Sequence, residues 1–171
     1  MTNRIPMTPK GKALLEVRLQ HCVDVERPKI IKDIEEARAH GDLSENSEYH
    51  DAKERHSLNE GRIKDLEAKI SLAQIIRVQD YEPTEDSERR VMFGCTVFLL
   101  DEDENEECWK IVGEDEANLK EKKISIRSPL ARALLGKEEG ESFLFSAPKR
   151  RCEYEILEIL YLEEDPLDPE E

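Results

Sequence analysis

Aromatic residues are almost absent from the first half of this 171-residue sequence. Of its four Phe, four Tyr and one Trp, only Tyr49 lies within residues 1–80. A globular core normally contains several such side chains, so we predict that this half is an elongated element instead. Long apolar runs are also absent: no segment approaches the roughly 20 apolar residues that span a bilayer. The N-terminal MTNRIPMTPKGK has no apolar signal segment, and we expect a cytoplasmic protein without membrane association.

The cysteines form no recognisable metal or disulfide motif. They are widely separated, with no CxxC pair and no His at zinc-ligand spacing: Cys22, Cys95, Cys108 and Cys152. This spacing argues against a zinc finger or zinc ribbon. It favours reduced cysteines that serve as small buried side chains.

Negative charge is concentrated in the second half of the chain. Residues 1–80 carry 14 basic and 15 acidic side chains, whereas residues 81–171 carry 12 and 26. Nucleic-acid phosphates are bound by clustered cations, so we do not expect the second half to bind nucleic acid unaided. A solubilising role and a role against a basic partner surface both stay open.

The hydrophobic pattern of residues 1–80 predicts an antiparallel pair of helices. Thr8 and Pro9 suit the N-cap and the first position of a helix, Pro28 should bend that helix, and Gly41 should end it. The returning helix has an unbroken heptad seam at Tyr49, Ala52, His56, Asn59, Ile63, Leu66, Ile70 and Ala73. Such a seam is typical of a coiled coil. The intervening loop should therefore form the tip of a rod about 45 Å long.

From residue 81 the pattern changes to that of a small α+β domain. Strands are predicted at 91–100, 107–112, 122–126, 142–146 and 152–162. SPLARALLG predicts a short helix capped by Ser128. The complete prediction is an α+β chain with a two-helix coiled coil at 1–80 and a compact domain at 81–162. An acidic, Pro-containing tail at 163–171 is expected to be disordered.

The tip sequence HGDLSENSEYHDA has two interpretations. In the first, Asp42 caps the returning helix and Glu45, three residues later, completes a capping box near the positive end of the helix dipole. In the second, the two carboxylates are ligands of Mg²⁺, a hard cation that prefers about six oxygen ligands. Two acids make an incomplete magnesium site. This interpretation therefore requires a partner that supplies the other ligands.

Basic and aromatic side chains flank these acids. Arg38 and Lys53 could contact phosphate groups, and Tyr49 could stack on a base. Alternating charge on a helical hairpin is more commonly a solvated surface, and Tyr49 could simply pack in the seam. The pattern alone leaves both interpretations open.

These segments resemble the bacterial Gre transcript-cleavage factors. EARAHGDLSENSEYHDAKERHSLNEGRIKDLEAKI is similar to the coiled-coil tip of that family, and IVGEDEAN and ISIRSPLARALLGKEEGE are similar to its C-terminal domain. The likeness runs from about residue 5 to 162 and is closer to the A-type than to the more basic B-type. Ser44 stands where a basic residue is common in the family.

The resemblance implies a transcription elongation factor that is not itself an enzyme. Its coiled coil would enter the secondary channel of bacterial RNA polymerase, and its FKBP-like domain would dock at the channel rim. Asp42 and Glu45 would help hold Mg²⁺ only within that complex, while the polymerase cleaves backtracked nascent RNA. The residues expected near the RNA 3′ end are Arg38, Tyr49 and Lys53. The factor is expected to be a monomer.

Three alternatives stay open. A non-cleaving Gre homologue would occupy the channel and inhibit transcription, although the unaltered Asp42 and Glu45 argue against it. A prolyl isomerase or chaperone, suggested by the FKBP likeness, would need an aromatic pocket that the dispersed aromatics do not define. An independent metal hydrolase would use Asp42 and Glu45 with His40 and His50, and would cut RNA without polymerase.

Overall fold

A computed structural model describes residues 3–42 and 45–164 of the chain. The α+β fold class is confirmed: a helical hairpin is followed by a sheet domain. Two compact units are present, one containing Ala13–Ala73 and the other containing Ile5–Lys12 and the chain from Gln74 onward. Ile5–Lys12, which the predicted division at residue 80 assigned to the hairpin, thus belongs with the sheet. Most of the predicted tail, 165–171, lies outside the described residues.

The first arm of the hairpin is a helix with an internal change of geometry. Helix α1 spans Pro9–His21 and helix α2 spans Arg27–Arg38, and Cys22–Glu26 between them form a short π-helix. Pro28 lies in the first turn of α2, but the chain before it is already helical, so its missing amide removes a bond to the preceding turn. The predicted interruption at Pro28 therefore takes the form of a π-helix immediately before it, and the chain continues as a helix.

The second arm, helix α3, spans Ser47–Ser71 and packs against the first arm along the predicted seam. Its buried residues are Tyr49, Ala52, Asn59 and Ile63. Ion pairs also connect the arms. The Arg27 guanidinium donates two hydrogen bonds to Glu60, at 2.7 and 2.9 Å, and Arg55 pairs with Asp33 at 2.9 Å. The hairpin is thus held by a narrow apolar seam and by flanking charge pairs. Among the helices of the described ranges, none has the length and apolar character needed to cross a bilayer.

Two sheets form the second unit. The strands and the short helix are β1 (Ile5–Met7), β2 (Ala73–Ile75), β3 (Thr96–Asp101), β4 (Glu106–Val112), β5 (Lys123–Ser125), α4 (Pro129–Leu134), β6 (Ser142–Ser146) and β7 (Arg151–Leu160). Strands β1 and β2 pair with each other, and the other five have the order β5-β4-β3-β7-β6. The β4–β5 pair is parallel, whereas the other pairs of the larger sheet are antiparallel.

The hydrophobic core lies on one face of the larger sheet. Its side chains include Val97, Leu99, Ile111, Leu134, Ile156 and Ile159, all of them fully buried. Along β3 the buried and partly exposed residues alternate, as they do in a strand with one covered face. The second unit thus has a packed core of the kind that the aromatic-poor hairpin lacks.

Two local predictions were wrong, and one strand pairing was missed. Residues 91–95 were predicted to begin a strand, but they form an irregular segment and a turn in which Gly94 has φ +88°. A Cβ atom at Gly94 would lie 2.9 Å from that of Val78, so the turn leaves no room for a side chain. Ala73, predicted as the last seam residue of the helix, begins β2, and the pairing of β1 with β2 was not predicted.

Candidate functional site

The loop between α2 and α3 carries the two predicted metal ligands. The chain turns at Gly41, whose φ of +113° is readily adopted only by glycine. Asp42 and Glu45 both lie exposed in this loop. Leu43 and Ser44, between them, lie outside the described residues. The two carboxylates are therefore presented to solvent at the end of the hairpin.

Asn46, and not Asp42, is the N-cap of α3. Its Oδ1 accepts a hydrogen bond from the Tyr49 amide at 3.1 Å, and its Nδ2 donates to the Ala37 carbonyl oxygen at 2.8 Å. The interpretation of Asp42 as the cap is therefore wrong, and Glu45 precedes the helix that it was expected to help cap. Asn46 closes the tip because one side chain bonds to both arms, a role that sequence reasoning missed.

Tyr49 contacts both of the other residues predicted to contact RNA, Arg38 and Lys53. Its ring centroid lies 5.9 Å from Cζ of Arg38 and 5.3 Å from Nζ of Lys53, distances typical of cation–π contacts. The neighbouring His50 ring packs edge-on, with 5.7 Å between the centroids. Hydrogen bonding to Arg38 is the main cause of a lowered pKa of Tyr49, and the charge of Lys53 acts in the same direction. The aromatic ring thus holds two cations close together beside the tip loop.

A polar groove of about 360 Å³ lies between the arms near the tip. It is lined by Asp33, Glu36, Ala37, His40, Glu48, Asp51 and Arg55. Arg55 is engaged by Asp33, so it does not join the cations around Tyr49. Within residues 3–42 and 45–164, no group of three or more His, Cys, Asp or Glu side chains is arranged to hold a metal ion.

Comparisons with known proteins cover both units of the chain. The family model described as "Transcription elongation factor, N-terminal" matches residues 5–75. The model described as "Transcription elongation factor, GreA/GreB, C-term" matches residues 86–161. Together they include the whole tip and nearly all of the sheet domain.

Individual relatives agree with the family models. The chain is 53% identical to a transcription elongation factor GreA from Ruegeria pomeroyi over 92% of this chain and 98% of that protein. A transcription elongation factor GreA from Acinetobacter baumannii is 49% identical to it, over 93% of this chain and 99% of that protein. The solved structure of GreA factor homolog 1 from Thermus thermophilus is 26% identical in sequence to this chain. The match covers 92% of this chain and 99% of that one, with a TM-score of 0.40. The chain belongs to the GreA/GreB family of transcription elongation factors.

Proposed function

We propose that the chain binds bacterial RNA polymerase and stimulates the polymerase's own cleavage of backtracked nascent RNA. Membership of the GreA/GreB family supports a role in transcription elongation. The proposal that the chain stimulates RNA cleavage rests on the exposure of Asp42 and Glu45 at the end of a helical rod. A narrow rod can bring two carboxylates into a confined catalytic site that a globular domain could not enter.

Asp42 and Glu45 fit a magnesium ion that is shared with the partner. Carboxylate oxygens are the donors that Mg²⁺ prefers, and two of them leave most of an octahedral coordination shell to other groups. When bound, the ion would supply activation of a water molecule and stabilisation of charge on the phosphate. The part of this chain is to hold the two carboxylates in place. It would therefore act as an activator of polymerase and not as an enzyme.

Arg38, Tyr49 and Lys53 would position the 3′ segment of the RNA. The two cations lie within 6 Å of one ring, so they could contact neighbouring phosphates. Tyr49 is only 9% exposed, so its part would be to hold the two cations in place and not to stack on a base. Their spacing is set by the helix positions and by the contacts with Tyr49. The RNA would consequently meet a preformed cationic surface next to the two tip acids.

A cleavage assay on stalled, backtracked transcription complexes tests the metal role. The isosteric variants Asp42→Asn and Glu45→Gln each remove one carboxylate, and the matched control Glu48→Gln removes the exposed acid in the first turn of α3. We expect the two tip variants to lower the stimulated cleavage rate by about 100-fold while still competing with wild type for polymerase. The control should retain wild-type cleavage.

The same assay separates the alternatives. Shortened RNA followed by renewed synthesis supports the proposal, whereas slower synthesis without shortening would indicate a channel-blocking inhibitor. RNA cutting by the purified chain without polymerase would indicate an independent hydrolase. If Glu48→Gln lost as much stimulated cleavage as the two tip variants, Asp42 and Glu45 would have no role that a nearby exposed acid lacks.

The RNA-positioning role has a separate test. Lys53→Met removes a cation next to Tyr49, and Lys64→Met removes an exposed lysine farther along the same helix. We expect the first variant to need a several-fold higher concentration for half-maximal cleavage and the second to match wild type. Equal behaviour of the two variants would show that Lys53 is only part of the solvated surface.

A further inference from the structure

The first arm of the hairpin contains one residue more than its seam requires. Between Ala13 and Arg38 the buried residues are Leu15, Cys22, Ile30 and Ala37. The spacings between them are seven, eight and seven residues, whereas a regular coiled-coil seam repeats every seven residues. Helix α3 keeps that repeat without a break from Tyr49 to Ile70. The extra residue therefore lies in the first arm, between Cys22 and Ile30.

An extra residue would turn the rest of a regular α-helix away from its partner. Each residue rotates an α-helix by about 100°, so eight residues overshoot two full turns by about 80°. Ile30 and Ala37 would then leave the seam. Because both side chains are buried, the first arm must absorb the extra residue before it reaches Ile30.

The π-helix at Cys22–Glu26 absorbs this residue. A π-helix closes its turn with a hydrogen bond to the fifth residue along the chain instead of the fourth, so the turn holds one residue more. Here the Arg27 amide donates to the Cys22 carbonyl oxygen. Pro28 favours this position for the wide turn, because it has no amide for the carbonyl group of Asp24 and its ring would clash with that group in a regular α-helix.

Two consecutive residues of α3 hold the two ends of the π-helix. Asn59, which is buried, donates from Nδ2 to the carbonyl oxygen of Cys22, the first π-helical residue, at 3.0 Å. The Glu60 carboxylate accepts two hydrogen bonds from Arg27, which directly follows the π-helix. The wide turn is thus fixed at one position along the second arm.

The contacts beside the tip loop depend on the rotation of α2. Ala37 accepts a hydrogen bond from the Asn46 side chain, and the Arg38 guanidinium lies next to the Tyr49 ring. Both contacts require this end of α2 to face α3, and an error of about 80° in its rotation would break them. The loop between these contacts carries the two tip acids. The position of the acids therefore depends on how the first arm absorbs its extra residue.

We propose that the π-helix compensates for a one-residue excess in the first arm, and that Asn59 and Glu60, which hold it in place, are positioning residues for the tip acids. They act through the rotation of α2 and not through contact with metal or RNA. The positioning role rests on the function proposed above. The compensation of the extra residue does not, and it can be tested without polymerase.

Deleting one residue from each arm tests the compensation. The first variant combines deletion of the exposed Val25 with Pro28→Ala, so that seven residues separate Cys22 from Ile30. The matched control deletes the exposed Ser57 from α3, whose seam has no extra residue. Pro28→Ala alone controls for the substitution.

Thermal unfolding, followed by the helical circular dichroism signal, measures the outcome. The Val25-deleted variant should unfold at the wild-type temperature or above it, because a regular helix replaces the π-helix and the seam stays matched. The Ser57-deleted variant should unfold at a temperature lower by about 5 °C or more, because its seam is broken. Equal destabilisation by the two deletions would overturn the compensation.

Stimulated RNA cleavage at saturating factor concentration tests the positioning role. The Val25-deleted variant should cleave within about twofold of the wild-type rate, since its tip keeps the same rotation, and the Ser57-deleted variant should lose about tenfold or more. Loss of cleavage in a stable Val25-deleted variant would show that the segment does more than set this rotation, and would overturn the proposal.

Asn59→Ala separates positioning from general stability. In the wild-type chain it should lower the maximal cleavage rate several-fold, with no change in the factor concentration that gives half-maximal cleavage. In the Val25-deleted background it should not change the rate, because no π-helix is left to hold. An equal effect in both backgrounds would contradict the positioning role. If wild type itself stimulates no cleavage, the proposed function and the positioning role both fail, and the unfolding comparison still decides the compensation.

Discussion

Asn59 of α3 donates a hydrogen bond from Nδ2 to the backbone carbonyl oxygen of Cys22 in the opposite arm, at 3.0 Å. The same carbonyl oxygen accepts a hydrogen bond from the backbone amide of Arg27, and this bond closes the π-helix. Asn59 is 2% exposed, and its Oδ1 has no hydrogen-bond partner among the described residues. A buried polar seam residue costs stability but fixes register. The contact thus connects the irregular turn of the first arm to one position of the second.

Replacing Asn59 by Ala should lower the free energy of unfolding by about 1–2 kcal/mol, because one buried hydrogen bond is lost and the seam is left underpacked. Urea denaturation followed by circular dichroism measures the change. Ser57→Ala, at an exposed position two residues away on α3, should change stability by less than about 0.5 kcal/mol. Similar changes in the free energy of unfolding for the two variants would show that the Asn59–Cys22 hydrogen bond adds no measurable stability.

Asn46 offers a test of tip closure that separates its two hydrogen bonds. Asn46→Asp keeps the acceptor for the Tyr49 amide but loses the donor to the Ala37 carbonyl oxygen, whereas Asn46→Ala loses both. The Ala variant should lose about 1 kcal/mol of stability through the missing cap, and the Asp variant should lose less.

Both variants should stimulate RNA cleavage less than wild type, because the link from α3 back to α2 orients the loop that carries Asp42 and Glu45. Denaturation and the backtracked-complex assay, run on the same preparations, measure the two effects. Full cleavage activity in Asn46→Asp would mean that the bond to Ala37 has no part in placing the tip acids.

Glu116 makes stability depend on pH. Burial raises its folded-state pKa above the ordinary 4.5, an effect that Glu164 reinforces and that Thr8, Lys123 and Lys110 oppose. The folded protein therefore holds this proton more tightly than the unfolded chain does. That contribution to stability is complete below the ordinary value and is lost as pH rises through the raised pKa.

Glu116→Gln is neutral at every pH, so its stability relative to wild type should increase as pH rises from about 4.5 through the raised pKa of Glu116. Denaturation at a series of pH values measures the difference. Glu114→Gln, which changes a neighbouring exposed carboxylate, should show a difference that is nearly constant over the same range. If the difference in free energy of unfolding between Glu116→Gln and wild type were also constant with pH, the raised pKa of Glu116 would be contradicted.

The elements that the sequence predicted correctly are those set by local chemistry. Thr8 caps α1 through the bond from the Gly11 amide to its hydroxyl oxygen, at 3.0 Å, and Ser128 caps α4 through the Ala131 amide, at 3.2 Å. In both cases a hydroxyl residue directly precedes Pro, and the signal lies within four residues. The heptad seam was predictable for the same reason, because helical periodicity is a property of one segment.

The errors concern contacts between distant segments. β1 and β2 each have three residues, too few for an alternating pattern, and they pair across more than sixty residues of intervening chain. Within DLSEN, Asp42, Ser44 and Asn46 are all residue types that can cap a helix. The choice of Asn46 depends on its second bond, to Ala37 of the other arm. The burial of Lys110 and Lys123 was equally hidden, because the carboxylate that both contact, that of Glu164, lies some forty or more residues away.

The most direct measurement of the central claim is the magnesium dependence of stimulated RNA cleavage, at saturating factor concentration. If Asp42 and Glu45 help to hold the ion, wild type should reach half-maximal cleavage at a much lower Mg²⁺ concentration than Asp42→Asn, by about tenfold or more. High Mg²⁺ should partly restore the variant. An unchanged magnesium dependence in Asp42→Asn, with only the maximal rate altered or with no change at all, would contradict the account.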